Sequence, residues 1–122
     1  MISPMKISLI TACYNTAGTI RTAIDSVLSQ KGVDVEYIVV DGGSKDGTVD
    51  IIKEYSTRST RFTFKWLSDR DRGMYDAINK GIKMATGDII GILNADDMFE
   101  SEGTLTHVVE AFQSGGVGEK AK

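Results

Sequence analysis

Two spacings of apolar residues alternate along this chain, and together they predict a series of strands and helices. Lys6 to Ala12 alternates polar and apolar residues and then becomes apolar, which is typical of a β-strand. The segment that follows it predicts an amphipathic helix, because apolar residues recur there at helical spacing. These residues are Ile20, Ala23, Ile24, Val27 and Leu28.

A second strand and helix follow the first pair. Val35 to Val40 is rich in β-branched residues, which favours a strand, and it ends at Asp41 and two glycines. A helix is then predicted, with Thr48 or Asp46 as its N-terminal cap. The apolar face of this helix consists of Val49, Ile52 and Tyr55.

Two more strands and helices complete the pattern. Phe62 to Leu67 predicts a third strand, and Gly87 is the expected C-terminal cap of the helix after it. The predicted apolar face of that helix consists of Tyr75, Ile78, Ile82 and Ala85. Asp88 to Asn94 predicts a fourth strand, and its continuous apolar run is typical of burial on both faces. A last helix is predicted from Leu105, Val108, Val109 and Phe112.

Strands that alternate with helices favour a three-layer α/β fold with a mostly parallel sheet, because right-handed crossovers place helices on both faces. A chain of 122 residues is long enough for one domain with one core. We expect this domain to span residues 1–114, with residues 1–4 as an extension. Residues 115–122 lack apolar periodicity and are predicted to be a disordered tail. The polar loop 56–61 is interpreted as a solvated connection.

Composition and charge exclude several classes of function. The formal net charge is −3 and 41% of the residues are hydrophobic, so there is no electrostatic bias toward nucleic acid. No apolar stretch approaches the roughly 20 residues of a membrane span. The single Cys13 has no partner for an internal disulfide and is interpreted as a packing residue at a strand end. These features predict a cytoplasmic protein, free or peripheral at the inner face of the membrane.

Two adjacent carboxylates, Asp96 and Asp97, follow the fourth strand. In open α/β sheets, ligands bind beyond the carboxyl ends of the strands. Hard divalent cations prefer oxygen ligands and are usually held by one or two carboxylates together with substrate phosphates. The pair is therefore suited to a metal–diphosphate complex. The structural alternative is that Asp96 caps a turn and Asp97 is solvated.

The loops 11–15 and 41–48 are predicted to reach the same edge of the sheet. Asp41 ends a β-branched run and is suited to accept a hydrogen bond from a ring N–H, with a tight turn as the alternative. Gly42 and Gly43 would let the backbone pass close to that ligand.

Three better-known motifs are excluded in these loops. Gly47 stands where a phosphate-binding loop requires Lys, and Ser44 stands where an aspartyl phosphatase requires its nucleophilic carboxylate. The glycine fingerprint of dinucleotide binders is absent after the first strand, where Ala12-Cys13-Tyr14-Asn15 is found instead.

The order of motifs that remains resembles the amino-terminal half of the family-2 glycosyltransferases. That half contains a strand, Tyr-Asn, a helix, an Asp-Gly-Ser-x-Asp-Gly-Thr loop and a strand that ends in paired Asp. This chain has these features in order between Lys6 and Phe112, although Gly43 departs from the more usual second acidic residue. Asp69 to Gly81 is similar to a subgroup associated with bacterial surface polysaccharides. The resemblance implies a truncated GT-A fold, a Rossmann-like nucleotide-binding α/β domain.

The resemblance also implies roles for single residues. Thr11, Ala12 and Tyr14 match the segment that lines the base and the ribose. Asp41 matches the carboxylate that accepts a hydrogen bond from the base, and Asp96 matches the carboxylate that faces the ribose. The implied nucleotide-binding residues are Thr11, Ala12, Tyr14, Asp41, Asp71, Arg72 and Asp96. Asp97 matches the ligand of a divalent cation, Mn²⁺ or Mg²⁺.

The resemblance implies transfer of a sugar, with inversion, from a nucleotide-diphosphate donor to an acceptor hydroxyl. A UDP-sugar is the favoured donor, and the acceptor is a saccharide or a lipid-linked molecule in bacterial surface polysaccharide synthesis. The general base of the family belongs to a second half, so no catalytic residue is identified here. The alternative is a non-catalytic nucleotide-binding or interaction module. An unpaired strand edge further predicts a homo-oligomer.

Overall fold

The computed structural model describes residues 5–58 and 62–113, and in this part of the chain four strands alternate with four helices. The elements are β1 Lys6–Cys13, α1 Ile20–Leu28, β2 Asp34–Asp41, α2 Thr48–Ser56, β3 Thr63–Ser68, α3 Met74–Met84, β4 Ile89–Ile92 and α4 Thr104–Gln113. The predicted alternation of strands and helices is confirmed. The predictions for residues 1–4, for residues 59–61 of the loop and for the tail 115–122 lie outside the described residues.

The four strands form one sheet in the order β3-β2-β1-β4, and every pair of neighbours is parallel. This confirms the predicted parallel sheet. Cys13, the last residue of β1, pairs with Asp41, and Asp41 pairs in turn with Ser68 of β3. The carboxyl ends of these strands therefore meet at one edge, where the polar loops of the sequence are brought together.

Helices cover both faces of the sheet, so the predicted three layers are confirmed. On one face α1, α2 and α4 enclose the larger core, which contains Ile24, Tyr37, Ile52 and Leu105. On the other face α3 packs against Ile10, Ile38 and Val40. No helix in the described ranges is long and apolar enough to cross a membrane.

The face that α3 turns toward the sheet differs from the predicted one. Ala77 and Gly81 are its buried residues, whereas Tyr75 is 83% exposed and Ile82 is 42% exposed. A Cβ atom at Gly81 would lie 2.7 Å from a methyl carbon of Ile10, so this contact requires glycine. The prediction for Tyr75 and Ile82 was wrong because the helix approaches the sheet through small residues, which a pattern of large apolar residues does not reveal.

Several predicted boundaries also differ. The helix α3 ends before Ala85, which has extended backbone, so Gly87 is not its C-terminal cap. Gly87 instead passes close to β1, where a Cβ atom would lie 2.8 Å from the backbone oxygen of Lys6. The strand β4 is shorter than predicted, and β3 begins and ends one residue later. These differences do not alter the order of the elements.

The N-terminus of α2 also differs from the predictions. Gly47 is the residue at the cap position, in a left-handed conformation that favours glycine. Asp46 nevertheless accepts a hydrogen bond from the backbone N–H of Thr48 at 3.0 Å. Asp46 lies one residue before the cap position. Its side chain thus accepts a hydrogen bond from an N–H group that has no partner within the helix.

A buried carboxylate links three strands on the α3 side of the sheet. Glu36 of β2 forms an ion pair with Lys65 of β3 at 2.7 Å and accepts a hydrogen bond from Ser8 of β1. The backbone N–H and the hydroxyl of Thr86 also donate to it. Burial by itself would raise the pKa of Glu36, but these partners outweigh burial and lower it to about 2. The ionised carboxylate therefore stabilises the fold.

We predict that Glu36→Gln lowers the free energy of unfolding by about 1–3 kcal/mol at pH 7, because the variant loses an ion pair and charge-assisted hydrogen bonds. The folded pKa of Glu36 lies below its unfolded value, so its stabilisation is complete above about pH 5 and is lost as the pH falls toward 2. Urea unfolding of both proteins between pH 7 and pH 2 measures this. The difference should shrink on acidification. A difference independent of pH, or one equal to that of the exposed control Glu110→Gln, would contradict the prediction.

The outer edge of β4 has no neighbouring strand among the described residues. Leu93 donates its N–H to the backbone oxygen of Ile10, so the alternating backbone groups of Ile90 and Ile92 point away from β1. The side chains of Ile90 and Ile92 are 47% and 52% exposed. Open edges with apolar side chains favour pairing with another chain, so the homo-oligomer remains a prediction.

We predict that the chain self-associates through this edge and that Ile90→Lys combined with Ile92→Lys makes it monomeric, because charged side chains on an edge strand oppose pairing. Light scattering over a range of protein concentrations measures the mass. Met98→Lys, at another exposed apolar residue, serves as the control and should still associate. A wild-type protein that stays monomeric at high concentration would disprove the prediction.

Candidate functional site

A cleft of about 710 Å³ opens at the carboxyl edge of the sheet, where ligands bind in open α/β folds. Three loops form its walls: residues 14–19 after β1, residues 42–47 after β2 and residues 69–73 after β3. The segment after β4 closes the remaining side. The lining residues are Ala12, Cys13, Tyr14, Thr16, Gly42, Gly43, Lys45, Arg70, Asp71, Gly73, Met74, Ala77, Asn94, Ala95 and Asp96.

Four of the residues that were predicted from the sequence to bind a nucleotide line the cleft together. Ala12 and Tyr14 lie at the end of β1, Asp71 lies in the loop after β3, and Asp96 lies after β4. Tyr14 is 57% exposed, so its ring is available to a ligand. The contacts of these four residues with a nucleotide remain a prediction.

Thr11 and Asp41 lie behind the wall of the cleft. Neither is among the lining residues, and both are fully buried. The hydroxyl of Thr11 shares a hydrogen bond of 2.8 Å with the hydroxyl of Tyr37 in the core. Direct contact of either residue with a ligand would require these side chains to move.

The carboxylate of Asp41 organises the loop after β2. It accepts hydrogen bonds from the backbone N–H groups of Gly43 and Ser44 at 3.0 and 2.9 Å, and from the hydroxyls of Ser44 and Ser68 at 2.5 and 2.9 Å. Burial would raise the pKa of Asp41, but these donors outweigh burial and hold the pKa below its usual range. Asp41 is therefore ionised, and its oxygens are occupied by donors from its own loop and from Ser68 of β3.

Cys13 lies next to Asp41 at the end of β1. Burial and the neighbouring carboxylate raise the pKa of the Cys13 thiol, so the thiol stays protonated. Its sulfur lies 3.5 Å from a carboxylate oxygen of Asp41, to which it is positioned to donate. A protonated and buried thiol is a poor nucleophile, which fits the interpretation of Cys13 as a packing residue.

The loops after β1 and β2 are joined by reciprocal hydrogen bonds. Asn15 donates its backbone N–H to the hydroxyl of Ser44 at 2.7 Å, and its side-chain oxygen accepts the backbone N–H of Lys45 at 2.9 Å. Asn15 adopts a left-handed conformation with φ of 52°, which Asn tolerates better than most residues. The Tyr-Asn and Ser-Lys segments of the sequence thus hold one another in place.

A second pair of contacts joins the same loops closer to the helices. Asp46 accepts the backbone N–H of Ala17 at 3.1 Å, and the hydroxyl of Thr48 accepts the backbone N–H of Thr16 at 2.9 Å. Hydrogen bonds from Thr48, and then from Ala17, lower the pKa of Asp46. Asp46 is therefore a structural carboxylate that stabilises its own turn and the neighbouring loop.

The loop after β3 packs against the two glycines that follow Asp41. A Cβ atom at Gly42 would lie 2.6 Å from a carboxylate oxygen of Asp71, so only glycine leaves room for Asp71 there. Gly43 has φ of +92°, and a Cβ atom there would lie 3.6 Å from Cα of Arg70. This left-handed conformation favours glycine at position 43.

The acidic pair after β4 is exposed. Asp96 lines the cleft, whereas Asp97 does not, and neither forms an ion pair with another described residue. Asn94 donates weakly to Asp97 at 3.4 Å. Within residues 5–58 and 62–113, no three side chains of the metal-binding types are grouped to hold an ion. Carboxylates such as these suit Mn²⁺ or Mg²⁺ when a ligand's phosphates supply further oxygens.

Two positively charged residues also line the cleft, and neither was predicted from the sequence to bind a nucleotide. Lys45 and Arg70 line it, while the predicted Arg72 is exposed and is not part of the lining. Arg72 instead donates its backbone N–H to Asp76 at 3.0 Å. Their places in the sequence could have predicted this, because Lys45 and Arg70 both lie in loops that follow strands ending at the carboxyl edge.

We predict that Asn15→Ala lowers the free energy of unfolding by about 1–2 kcal/mol, because Ala disfavours a left-handed backbone and cannot accept the Lys45 N–H. Thermal or urea unfolding measures the change. Asn15→Gly, which tolerates the backbone but lacks the acceptor, should fall between Ala and wild type. Equal stability of the Ala variant and the wild type would show that this contact contributes nothing.

Two curated relatives are similar to this chain over most of its length. An uncharacterised glycosyltransferase of Nostoc is 36% identical over 113 residues, which cover 93% of this chain and 34% of the relative. A PGL/p-HBAD biosynthesis glycosyltransferase of Mycobacterium bovis is 37% identical over 109 residues, covering 88% and 41%. The chain thus spans about a third of the length of the first of these relatives.

Two solved structures superpose on most of this chain. The mannosyltransferase PcManGT of Pyrobaculum calidifontis, in complex with GDP-Man and Mn²⁺, superposes with a TM-score of 0.82 at 26% identity, over 88% of this chain and 32% of that one. Residues 1–349 of TarS from S. aureus, in complex with UDP-GlcNAc, give 0.78 at 25% identity, over 90% and 32%.

These neighbours confirm the predicted GT-A fold. The family model for glycosyl transferase family 2 matches residues 8–118, which is most of the chain. The chain belongs to glycosyl transferase family 2.

Proposed function

We propose that this chain is the donor-binding part of an inverting glycosyltransferase, which holds a nucleotide-diphosphate sugar in the cleft at the carboxyl edge. The observation that carries the proposal is the convergence of Tyr14, Asp71 and Asp96 on one cleft in a chain of this family. Residues 1–114 form this part. The favoured donor is a UDP-sugar, with GDP-sugars as the next candidate.

The ligands of the structural neighbours support this choice of donor. PcManGT was solved with GDP-Man and Mn²⁺, and TarS was solved with UDP-GlcNAc and with UDP. Each ligand is a nucleoside diphosphate or its sugar conjugate. We assign the same class of ligand to the cleft of this chain.

Asp97 is the proposed metal ligand, with Asp96 beside it facing the ribose. Both side chains are exposed at the end of β4, and both are carboxylates without an ion-pair partner among the described residues. A divalent cation held there would neutralise negative charge that develops on a departing nucleoside diphosphate. Tyr14 would contact the base, and Asp71 would lie nearer to the nucleoside than to the metal.

The acceptor site and the general base are proposed to belong to the part of the relatives that this chain does not span. Transfer with inversion requires a base within hydrogen-bond reach of the acceptor hydroxyl. The proposed acceptor is a saccharide or a lipid-linked molecule in bacterial surface polysaccharide synthesis. The second candidate function is a nucleotide-binding or interaction module without turnover.

We predict that UDP or GDP binds this chain in the presence of Mn²⁺ and that Asp97→Asn weakens this binding at least about tenfold, which corresponds to about 1.4 kcal/mol. The amide has no charge with which to hold the cation. Calorimetric titration with and without Mn²⁺ measures the affinity, and NAD serves as the comparison ligand for the oxidoreductase class.

Asp34→Asn provides the matched control, because Asp34 is an exposed carboxylate at the opposite end of β2. This variant should bind like the wild type. If Asp97→Asn and Asp34→Asn bind with the same affinity, Asp97 is not the metal ligand. If no nucleoside diphosphate binds the wild type, the donor-binding proposal fails as a whole.

A further inference from the structure

The proposed metal ligand Asp97 lies on a segment without regular secondary structure. Residues 93–103 connect β4 with α4 and form neither helix nor strand. The backbone N–H of Asp97 donates to the backbone oxygen of Asn94 at 3.0 Å, so a tight turn carries the acidic pair. Both carboxylates are exposed. Their position therefore depends on how the segment is held on either side of the turn.

The hydrophobic core holds the segment on the upstream side of the turn. Leu93 donates its backbone N–H to the backbone oxygen of Ile10 at 2.9 Å, and its side chain belongs to the larger core. Ala95 belongs to the same core and is 4% exposed. Burial of apolar surface therefore fixes the chain up to the residue before the acidic pair.

Two buried polar side chains, on α1 and just after it, hold the segment on the downstream side. The hydroxyl of Ser26 accepts the backbone N–H of Phe99 at 3.1 Å and donates to the backbone oxygen of Ala23 at 2.8 Å. Phe99 follows Asp97 by two residues, which span at most about 7 Å of extended chain. The hydrogen bond of Ser26 therefore keeps Asp97 close to α1.

Gln30 makes the second downstream contact and is fully buried. Its Nε2 donates to the backbone oxygen of Ser101 at 2.7 Å, and its Oε1 accepts the backbone N–H of Leu105 at 2.9 Å. Leu105 lies in the first turn of α4, where a helix supplies no acceptor for its own N–H groups. One amide side chain thus fixes both the end of the segment and the start of the next helix.

We propose that Ser26 and Gln30 are positioning residues, which hold the segment so that Asp97 is in place before a cation and a diphosphate bind. Neither side chain lines the cleft, so both act through the backbone of the segment. A segment that is already ordered loses less conformational entropy when the ligand binds. This inference rests on the proposed function, because it takes Asp97 to be the metal ligand.

A purely structural role for Ser26 and Gln30 would have different consequences. Loss of a buried hydrogen bond lowers the free energy of unfolding wherever it lies in a protein. Loss of a positioning contact also weakens the binding of the cation while the protein is still folded. The two roles therefore differ in where order is lost and in whether the lost affinity depends on the metal.

The first test is hydrogen exchange of the full chain without ligand, measured by mass spectrometry, for the wild type, Ser26→Ala and Gln30→Met. Methionine is similar in size to glutamine but has no donor for the oxygen of Ser101. Exchange should increase within residues 94–105 and stay unchanged in β1 and β2. Glu36→Gln is the control, because it removes a buried polar contact on the other face of the sheet. It should leave residues 94–105 unchanged.

The second test is calorimetric titration of the same four proteins with UDP at several concentrations of Mn²⁺. At low Mn²⁺, Ser26→Ala and Gln30→Met should each bind UDP at least about tenfold more weakly than the wild type. Excess Mn²⁺ should restore their binding, because mass action compensates for a weakened cation site. Glu36→Gln should bind like the wild type at every concentration. Ser26→Ala removes a single hydroxyl, so it tests the inference even if Gln30→Met does not fold.

Each contrary result has a distinct meaning. Unchanged exchange within residues 94–105 would show that these hydrogen bonds do not hold the segment, and would overturn the inference. Increased exchange with wild-type affinity for UDP would leave Ser26 and Gln30 a structural role only, as would a loss of affinity shared by Glu36→Gln or not restored by excess Mn²⁺. If the wild type binds neither UDP nor GDP in the presence of Mn²⁺, the proposed function itself fails, and this inference with it.

Discussion

The buried carboxylate of Asp41 is the interaction on which the cleft depends. An ionised group without water must be hydrogen-bonded, and Asp41 meets this need with N–H and hydroxyl donors from its own loop and from Ser68 of β3. Its backbone oxygen also accepts the N–H of Asp69. The need to satisfy one charge thereby fixes the path of the chain after both β2 and β3. The two glycines that follow Asp41 can then lie against Asp71 and Arg70.

The loop after β1 is joined to the loop after β2 by reciprocal hydrogen bonds. Asn15 binds Ser44 and Lys45, and Asp46 binds Ala17, so the walls after β1 and β2 support each other. These polar residues hold the walls of the cleft in place, while Tyr14 and Asp71 line the cleft and would contact a ligand. The supporting residues are therefore hydrogen-bonded to one another, whereas Tyr14 and Asp71 line the cleft itself. Preorganised walls reduce the entropy that a ligand must lose on binding.

Sequence patterns predicted the elements well but not the side chains that face inward. Each predicted strand and helix is present because its apolar residues match the period of that element. The face of α3 was wrong, since Gly81 and Ala77 contact the sheet and Tyr75 is exposed. Small residues carry no hydrophobic signal in a sequence, although they permit the closest packing. The role of Glu36 was also not predicted, because its partners come from two other strands and a distant turn.

The sequence by itself determined the alternating α/β order, the parallel sheet and the loops that gather at its carboxyl edge, because these follow from local periodicity and from the handedness of crossovers. Its motifs also determined the family. Only the tertiary structure decided which motif residues reach the cleft: Asp71 and Asp96 line it, and Thr11 and Asp41 lie behind its wall. It also brought Lys45 and Arg70 to one end of the cleft. Exposure and pairing depend on residues far apart in the chain, and no local pattern records them.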